Sequence, residues 1–196
     1  GALALDAARR TAEAVQDREG HGPLTLETFE VPPYYAQVRF GRWDEILDLP
    51  RPADGALFTR GVRHYARGMA YVAKGDFEKA SEELAELDRV RKDPKLGLNI
   101  WMNPPADILE IASECLAGES AAAQGKTDEA LLRLERAVRL QDALPYNEPP
   151  DWHYPARWSL GAALQQAGRP REAEVVYWED LRRTPENGWS LFGLLE

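Results

Sequence analysis

Apolar residues along the chain recur at helical rather than strand spacing. Leu160 and Leu164 stand four apart, Leu84, Leu134 and Tyr177 take comparable places in other segments, and Glu82, Glu83 and Glu86 alternate with apolar positions as a solvated face does. Four glycines punctuate this pattern, each ending one helix two or three residues before the next opens. They lie in Phe40-Gly41-Arg42-Trp43, Lys74-Gly75-Asp76-Phe77, Gln124-Gly125-Lys126-Thr127 and Ala167-Gly168-Arg169-Pro170. Glycine ends a helix in the left-handed conformation without a Cβ clash. The last three are followed five residues on by Ala80, Ala130 and Ala173, and preceded seven residues back by Gly68, Gly118 and Gly161. Small residues there let facing helices approach closely while the larger apolar side chains fill the seam. Pro170 suits a first helical turn, where no amide bond is lost. The expected fold class is all-α, a row of antiparallel helical hairpins.

The spacing of the glycines defines the unit. Gly41 and Gly75 are 34 residues apart, and the next two intervals are 50 and 43 residues. The excess over 34 falls where proline makes helix unfavourable, in Asp93-Pro94 through Asn103-Pro104-Pro105 and in Leu144-Pro145 through Pro149-Pro150-Asp151. Insertions of 16 and 9 residues are therefore expected in the loops joining successive hairpins.

A period of 34 is that of the tetratricopeptide repeat. The segment from Tyr154 to Pro185 resembles one, through Leu160-Gly161, Ala173, Tyr177 and the terminal Pro185, and Asn187 to Gly193 then opens another first helix. Val38 to Leu47 and Leu144 to Trp152 resemble the C-terminal half of a group of bacterial tetratricopeptide proteins, many of which look exported. The resemblance implies a single domain over 1–196, a right-handed α-solenoid of about four hairpins with partial helices at both ends. The loops at 93–107 and 143–155 would join its repeats. It implies a non-catalytic scaffold for protein or peptide partners, self-association included, and no cofactor. It leaves two compartments open, the bacterial cytoplasm or, for an exported precursor, the periplasm or exterior.

Two departures from the repeat matter. The first repeat carries Tyr34 and Gln37 at seam positions, so irregular packing is expected there. Leu3 to Val15 reads as a second helix without its first, and Trp189 to Glu196 as a first helix without its second. Each end is expected to leave an apolar stripe for another copy or for further chain.

First helices line the concave groove of such arrays. By phase with the turn glycines the lining is Tyr35, Tyr65, Met69, Val72, Glu119 and Trp158, with Gln165 nearby. Members that grip a carboxylate use Lys, Asn and Arg there. Tyr65, Met69, Cys115 and Glu119 stand in this chain instead, so that mode is not expected and the groove reads as apolar and aromatic. The insertions add Trp101, Met102, Tyr146, Trp152, His153 and Tyr154, either as plugs over the core or as a binding lip, with Arg157 placed to stack on them or to pair with a carboxylate.

Composition narrows the function. The 196 residues are 44% hydrophobic and 29% charged, enough for a real core. With 24 Lys and Arg against 33 Asp and Glu the net charge is −9, which opposes sequence-independent binding to nucleic acid. No apolar run approaches the roughly 20 residues of a membrane span. Gly1-Ala2-Leu3-Ala4 is no secretory signal and there is no initiator Met, so a processed piece of a longer chain is expected.

Candidate chemistry is sparse. Of three histidines, His21 reads as a glycine-flanked loop residue and His64 as structural. His153, within Asp151-Trp152-His153-Tyr154, would need at least two further ligands to hold a metal. The single cysteine, Cys115, reads as a small buried hydrophobe. No phosphate-cradling or dinucleotide-binding glycine pattern occurs. Two rival readings stay open beside the scaffold: a small-molecule or metal-binding module around His153, and an accessory domain of a larger enzyme.

Overall fold

Gly41, Gly75, Gly125 and Gly168 all adopt positive φ, between 64° and 74°. At Gly75 the glycine amide donates to the Val72 carbonyl (3.0 Å) and the Asp76 amide to that of Tyr71 (2.9 Å). The same pair recurs at Gly125 with Ala122 and Ala121, at Gly168 with Gln165 and Leu164, and at Gly41 with Val38 and Gln37. These bonds satisfy carbonyls that a helix end otherwise leaves orphaned, and they reverse the chain within two residues. The punctuation read from the sequence is therefore the punctuation of the fold.

The computed structural model describes residues 1–16, 24–96 and 102–196. Among them the chain is helical without a strand: α1 (Ala2–Gln16), α2 (Leu24–Glu30), α3 (Pro32–Arg39), α4 (Trp43–Asp48), α5 (Leu57–Ala73), α6 (Phe77–Arg91), a 3-10 turn at Pro94–Leu96, α7 (Pro105–Ala123), α8 (Thr127–Ala143), α9 (Ala156–Gln166), α10 (Pro170–Arg183) and α11 (Gly188–Gly193). Helices joined by a glycine turn pack on each other, α5 on α6, α7 on α8 and α9 on α10. The first helices of these pairs also touch, α5 with α7 and α7 with α9. Pro105 and Pro170 stand in first turns, and Asp76 caps α6 by accepting from the Lys79 amide (3.2 Å).

Helix α7 is the most enclosed element. Ile108, Leu109, Ile111, Ala112, Cys115 and Leu116 are all fully buried, because α5, α6, α8 and α9 surround it. A helix enclosed by four others need not be strongly amphipathic, and the buried positions of α7 accordingly run through most of its length. Burial pushes the Cys115 thiol well above its usual range, so it packs as a neutral hydrophobe.

The seam glycines do two jobs rather than one. Cβ atoms built at Gly118 and Gly161 would meet Leu134 and Tyr177 of their own hairpin partners, as expected. At Gly68 the atom would instead lie 2.4 Å from Leu116 of α7, and at Gly61 2.5 Å from Leu109. Glycine in α5 thus admits the next hairpin, a correction to the expected seam.

The first repeat is irregular. Only Val31 separates α2 from α3, which opens on Pro32-Pro33, and α4 has only six residues. Tyr34 and Gln37 are buried. The expected unpaired N-terminal stripe is not left open: Leu5, Ala8 and Ala12 are buried, with α1 lying against α2 and α3. At the other end Trp189, Leu191, Phe192 and Leu195 stay exposed, as the sequence suggested.

Candidate functional site

The second insertion folds inward. Its chain is pinned at three points by amide side chains. Gln141 in the last turn of α8 donates to the Tyr154 carbonyl (3.3 Å) and accepts from the Ala156 amide (2.7 Å), satisfying a free N–H at the start of α9. Asn103, from the first insertion, donates to the Pro145 carbonyl (3.2 Å) and to Asp151 Oδ2 (2.6 Å), while Asn147 donates to Asp151 Oδ1 (2.9 Å). The two proline-rich loops are thereby tied together.

That arrangement sets Trp152, His153 and Tyr154 on the first helices. Trp152 is 2% exposed and packs edge-on against Tyr35 (5.8 Å between centroids) and Tyr65 (5.1 Å). Tyr154 is buried, its hydroxyl 3.0 Å from that of Tyr65. A ladder of rings follows: Tyr35 stacks on His153 at 4.1 Å, His153 meets Tyr154 edge-on at 4.3 Å, Tyr154 stacks on Trp158 at 5.6 Å, and Trp158 leans on Trp189 at 5.8 Å. Edge-on and offset pairs of this kind favour the ring quadrupoles and fix geometry as well as area.

Beside the ladder lies a cavity of about 880 Å³ reaching from Arg39 on α3, past Trp158, to Trp189 and Phe192 on α11. Arg39 is one turn beyond Tyr35 on α3, so both face the groove. Its guanidinium lies 5.1 Å over the Trp158 ring. A smaller cavity of about 430 Å³ lies among Tyr35, Phe58 and Ile108. Pro150, Trp152 and His153 line both, so the loop is the partition between them.

The far wall is held by Asp180 of α10, which is 1% exposed. Its Oδ2 accepts from Trp158 Nε1 (3.0 Å), Asn187 Nδ2 (2.7 Å) and Ser190 Oγ (2.6 Å), fixing a ring of α9 and the start of α11 together. Asn187 also caps α11 by accepting from the Trp189 amide (3.1 Å). On α11's other side Gln165 donates to the Gly193 carbonyl (2.7 Å) and accepts from the Tyr177 hydroxyl (3.0 Å).

Several buried polar atoms at the site lack hydrogen-bond partners among the described residues: Tyr35 Oη, Trp152 Nε1 and both ring nitrogens of His153. Burial, with Arg39 adding to it, holds the His153 imidazole well below its ordinary pKa, so the ring is neutral. Burial, with the Asp151 charge adding, raises the Tyr35 phenol. No group of three or more His, Cys, Asp or Glu able to hold a metal occurs among the described residues.

The expected groove residues divide. Tyr35 and Trp158 border the cavities, as do Trp152, His153 and Tyr154. Tyr65 is fully buried beneath the loop, and Met69 and Val72 pack against the core. Glu119 sits beside Ser159 with its carboxyl raised by burial, Ser159 opposing. Arg157 pairs with a carboxylate rather than stacking: it grips Asp142 through two bonds of 2.7 and 2.5 Å and is buried. Met102 and Tyr146 point to solvent, away from the site. His21 and Trp101 lie outside the described residues. His64 is a packing residue, its Nδ1 2.6 Å from Glu83, which also accepts from Arg67 Nε (2.6 Å). Sequence reasoning missed Arg39, Asn187 and Phe192 as site residues and Asp180 as their support. The one signal available in the sequence is the aromatic Trp189-Ser190-Leu191-Phe192 run.

Comparison with family models, characterised proteins and solved structures finds no match. Among the described residues, no helix is long and apolar enough to cross a membrane.

Proposed function

We propose that this chain is a non-catalytic, tetratricopeptide-like right-handed α-solenoid scaffold that binds a segment of a protein partner in the cavity between α3, α9 and α11. The observation that carries the reading is that cavity, where Arg39 and the rings of Trp152, Tyr154, Trp158, Trp189 and Phe192 converge. Arginine and large aromatics dominate the energy of protein recognition. Trp189 and Phe192 are 51% and 60% exposed, leaving large apolar rings open to solvent at the edge of the cavity. The 34-residue spacing and the four glycine turns of one geometry support the repeat assignment.

The test is selection of short peptides from a displayed random library, followed by titration of the selected peptides into wild type and a Trp189→Ala, Phe192→Ala variant. Both side chains are more than half exposed, so the variant is expected to keep its helical circular dichroism. Loss of binding by at least tenfold supports the site. Equal binding by the two proteins sinks it.

A further inference from the structure

The charge of the cavity says what kind of segment it takes. Among the described residues Arg39 is the one ionised side chain lining it, in a chain whose net charge is −9, and His153 beside it is neutral. Arg39 has no carboxylate within ion-pair distance among the described residues, whereas nearby Arg42 is paired with Glu45 and buried Arg157 with Asp142. Lying over Trp158, the guanidinium keeps its N–H edge for a second partner, because stacking uses only its face. One cation and a row of rings make a surface that is complementary to an anion joined to a flat apolar group.

Resting on the reading that this cavity is the binding site, we propose that its occupant is an acidic–aromatic peptide segment, with a side-chain carboxylate forked onto Arg39 and a neighbouring aromatic residue laid on Trp189 and Phe192. A peptide fits better than a small free acid. The cavity spans three helices, and its α11 wall is half-open to solvent, which suits an extended chain passing through rather than a ligand sealed inside. The forked guanidinium–carboxylate geometry is directional, so it fixes the register of the peptide as well as adding affinity.

The experiment uses an acetylated, amidated tetrapeptide in which glutamate lies between two phenylalanines and is followed by leucine, the same peptide with glutamine for glutamate, and free phenylacetate. Each is titrated into wild type and Arg39→Gln by calorimetry at low salt. Arg39 is exposed, so the variant keeps the fold. The glutamate peptide is expected to bind wild type at least tenfold more tightly than the glutamine peptide, and Arg39→Gln is expected to bring that ratio to about one. Equal binding of both peptides to wild type, or a preference that survives Arg39→Gln, overturns the charge proposal but leaves the aromatic cavity as a peptide site. Failure of both peptides to bind wild type overturns the cavity reading itself. Phenylacetate binding as tightly as the glutamate peptide overturns the choice of a peptide.

Discussion

Tyr177 is the side chain on which the position of α11, and so of the cavity's outer wall, depends. A Cβ placed on Gly161 of α9 would lie 2.4 Å from both Cε1 and Cζ of its ring, and one placed on Gly193 of α11 would lie 2.3 Å from Cζ. Carbon atoms in contact sit roughly 3.5–4.0 Å apart. Replacing Gly161 by Ala therefore demands a retreat of about 1 Å, and the ring has nowhere to go, because the backbone of Gly193 is pressed against it. Overpacking of this kind costs about 3 kcal/mol. The substitution also recovers about 1 kcal/mol of helix propensity. The net expectation for Gly161→Ala is a loss of about 2 kcal/mol, or about 4–8 °C in melting temperature for a chain of this size. In a Tyr177→Leu background the clashing atoms are gone, so the same substitution should stabilise by about 0.5–1 kcal/mol. Urea unfolding of the four proteins, followed by circular dichroism, gives the cycle directly. A Gly161→Ala effect of one sign and size in both backgrounds refutes the argument from close approach.

Three further outcomes follow from the same geometry. Trp152→Ala removes a fully buried ring and should cost about 3–5 kcal/mol, so the Trp152→Ala, Tyr154→Ala pair should act chiefly on thermal melting; unchanged melting with lost peptide binding would make these rings a lip instead of a plug. Asp180→Ala leaves three donors without their shared acceptor and should cost about 2–4 kcal/mol while also weakening peptide binding, since Trp158 and α11 lose their common anchor; a stability loss with intact binding would separate Asp180 from the site. At Glu83 burial opposes ionisation, but the hydrogen bonds from His64 and Arg67 outweigh it and set the carboxyl below its ordinary 4.5, so its contribution is present above about pH 4.5 and is lost as pH falls through the folded-state value. Urea midpoints between pH 6 and 3 should therefore drop more steeply for wild type than for Glu83→Gln, and parallel curves would disprove it.

What the sequence disclosed and what it hid follow from the range over which each feature is determined. A positive φ is a local steric demand, met by glycine at 41, 75, 125 and 168, so the turns and the helices between them could be read directly. The proline stretches likewise mark non-helical chain by local chemistry, and the structure leaves residues 144–155 between α8 and α9 without helix. The groove was different. Tyr65 has the right phase on α5, yet it is covered by a loop whose path is set by Gln141 and Asn103, which contact backbone or carboxylate 13 to 48 residues away. Arg39 gave no signal at all, since an arginine ahead of a turn is commonplace. Only the return of the chain more than a hundred residues later puts Trp158 beneath it. Gly68 was read as a hairpin seam on local spacing, but its neighbour, Leu116, belongs to the next pair.

The aromatic loop explains why a cavity exists here. Ordering the dozen residues between α8 and α9 costs about 1–2 kcal/mol each in backbone freedom, so burial of Trp152 and Tyr154 and the amide clamps must offset a substantial loss. That offset comes from within the chain: Trp152 packs edge-on against Tyr35 and Tyr65, and Tyr154 stacks on Trp158 with its hydroxyl against that of Tyr65. The same rings that plug the core also line the cavity beside Arg39 and α11, so under the function proposed above the loop would be plug and cavity floor at once.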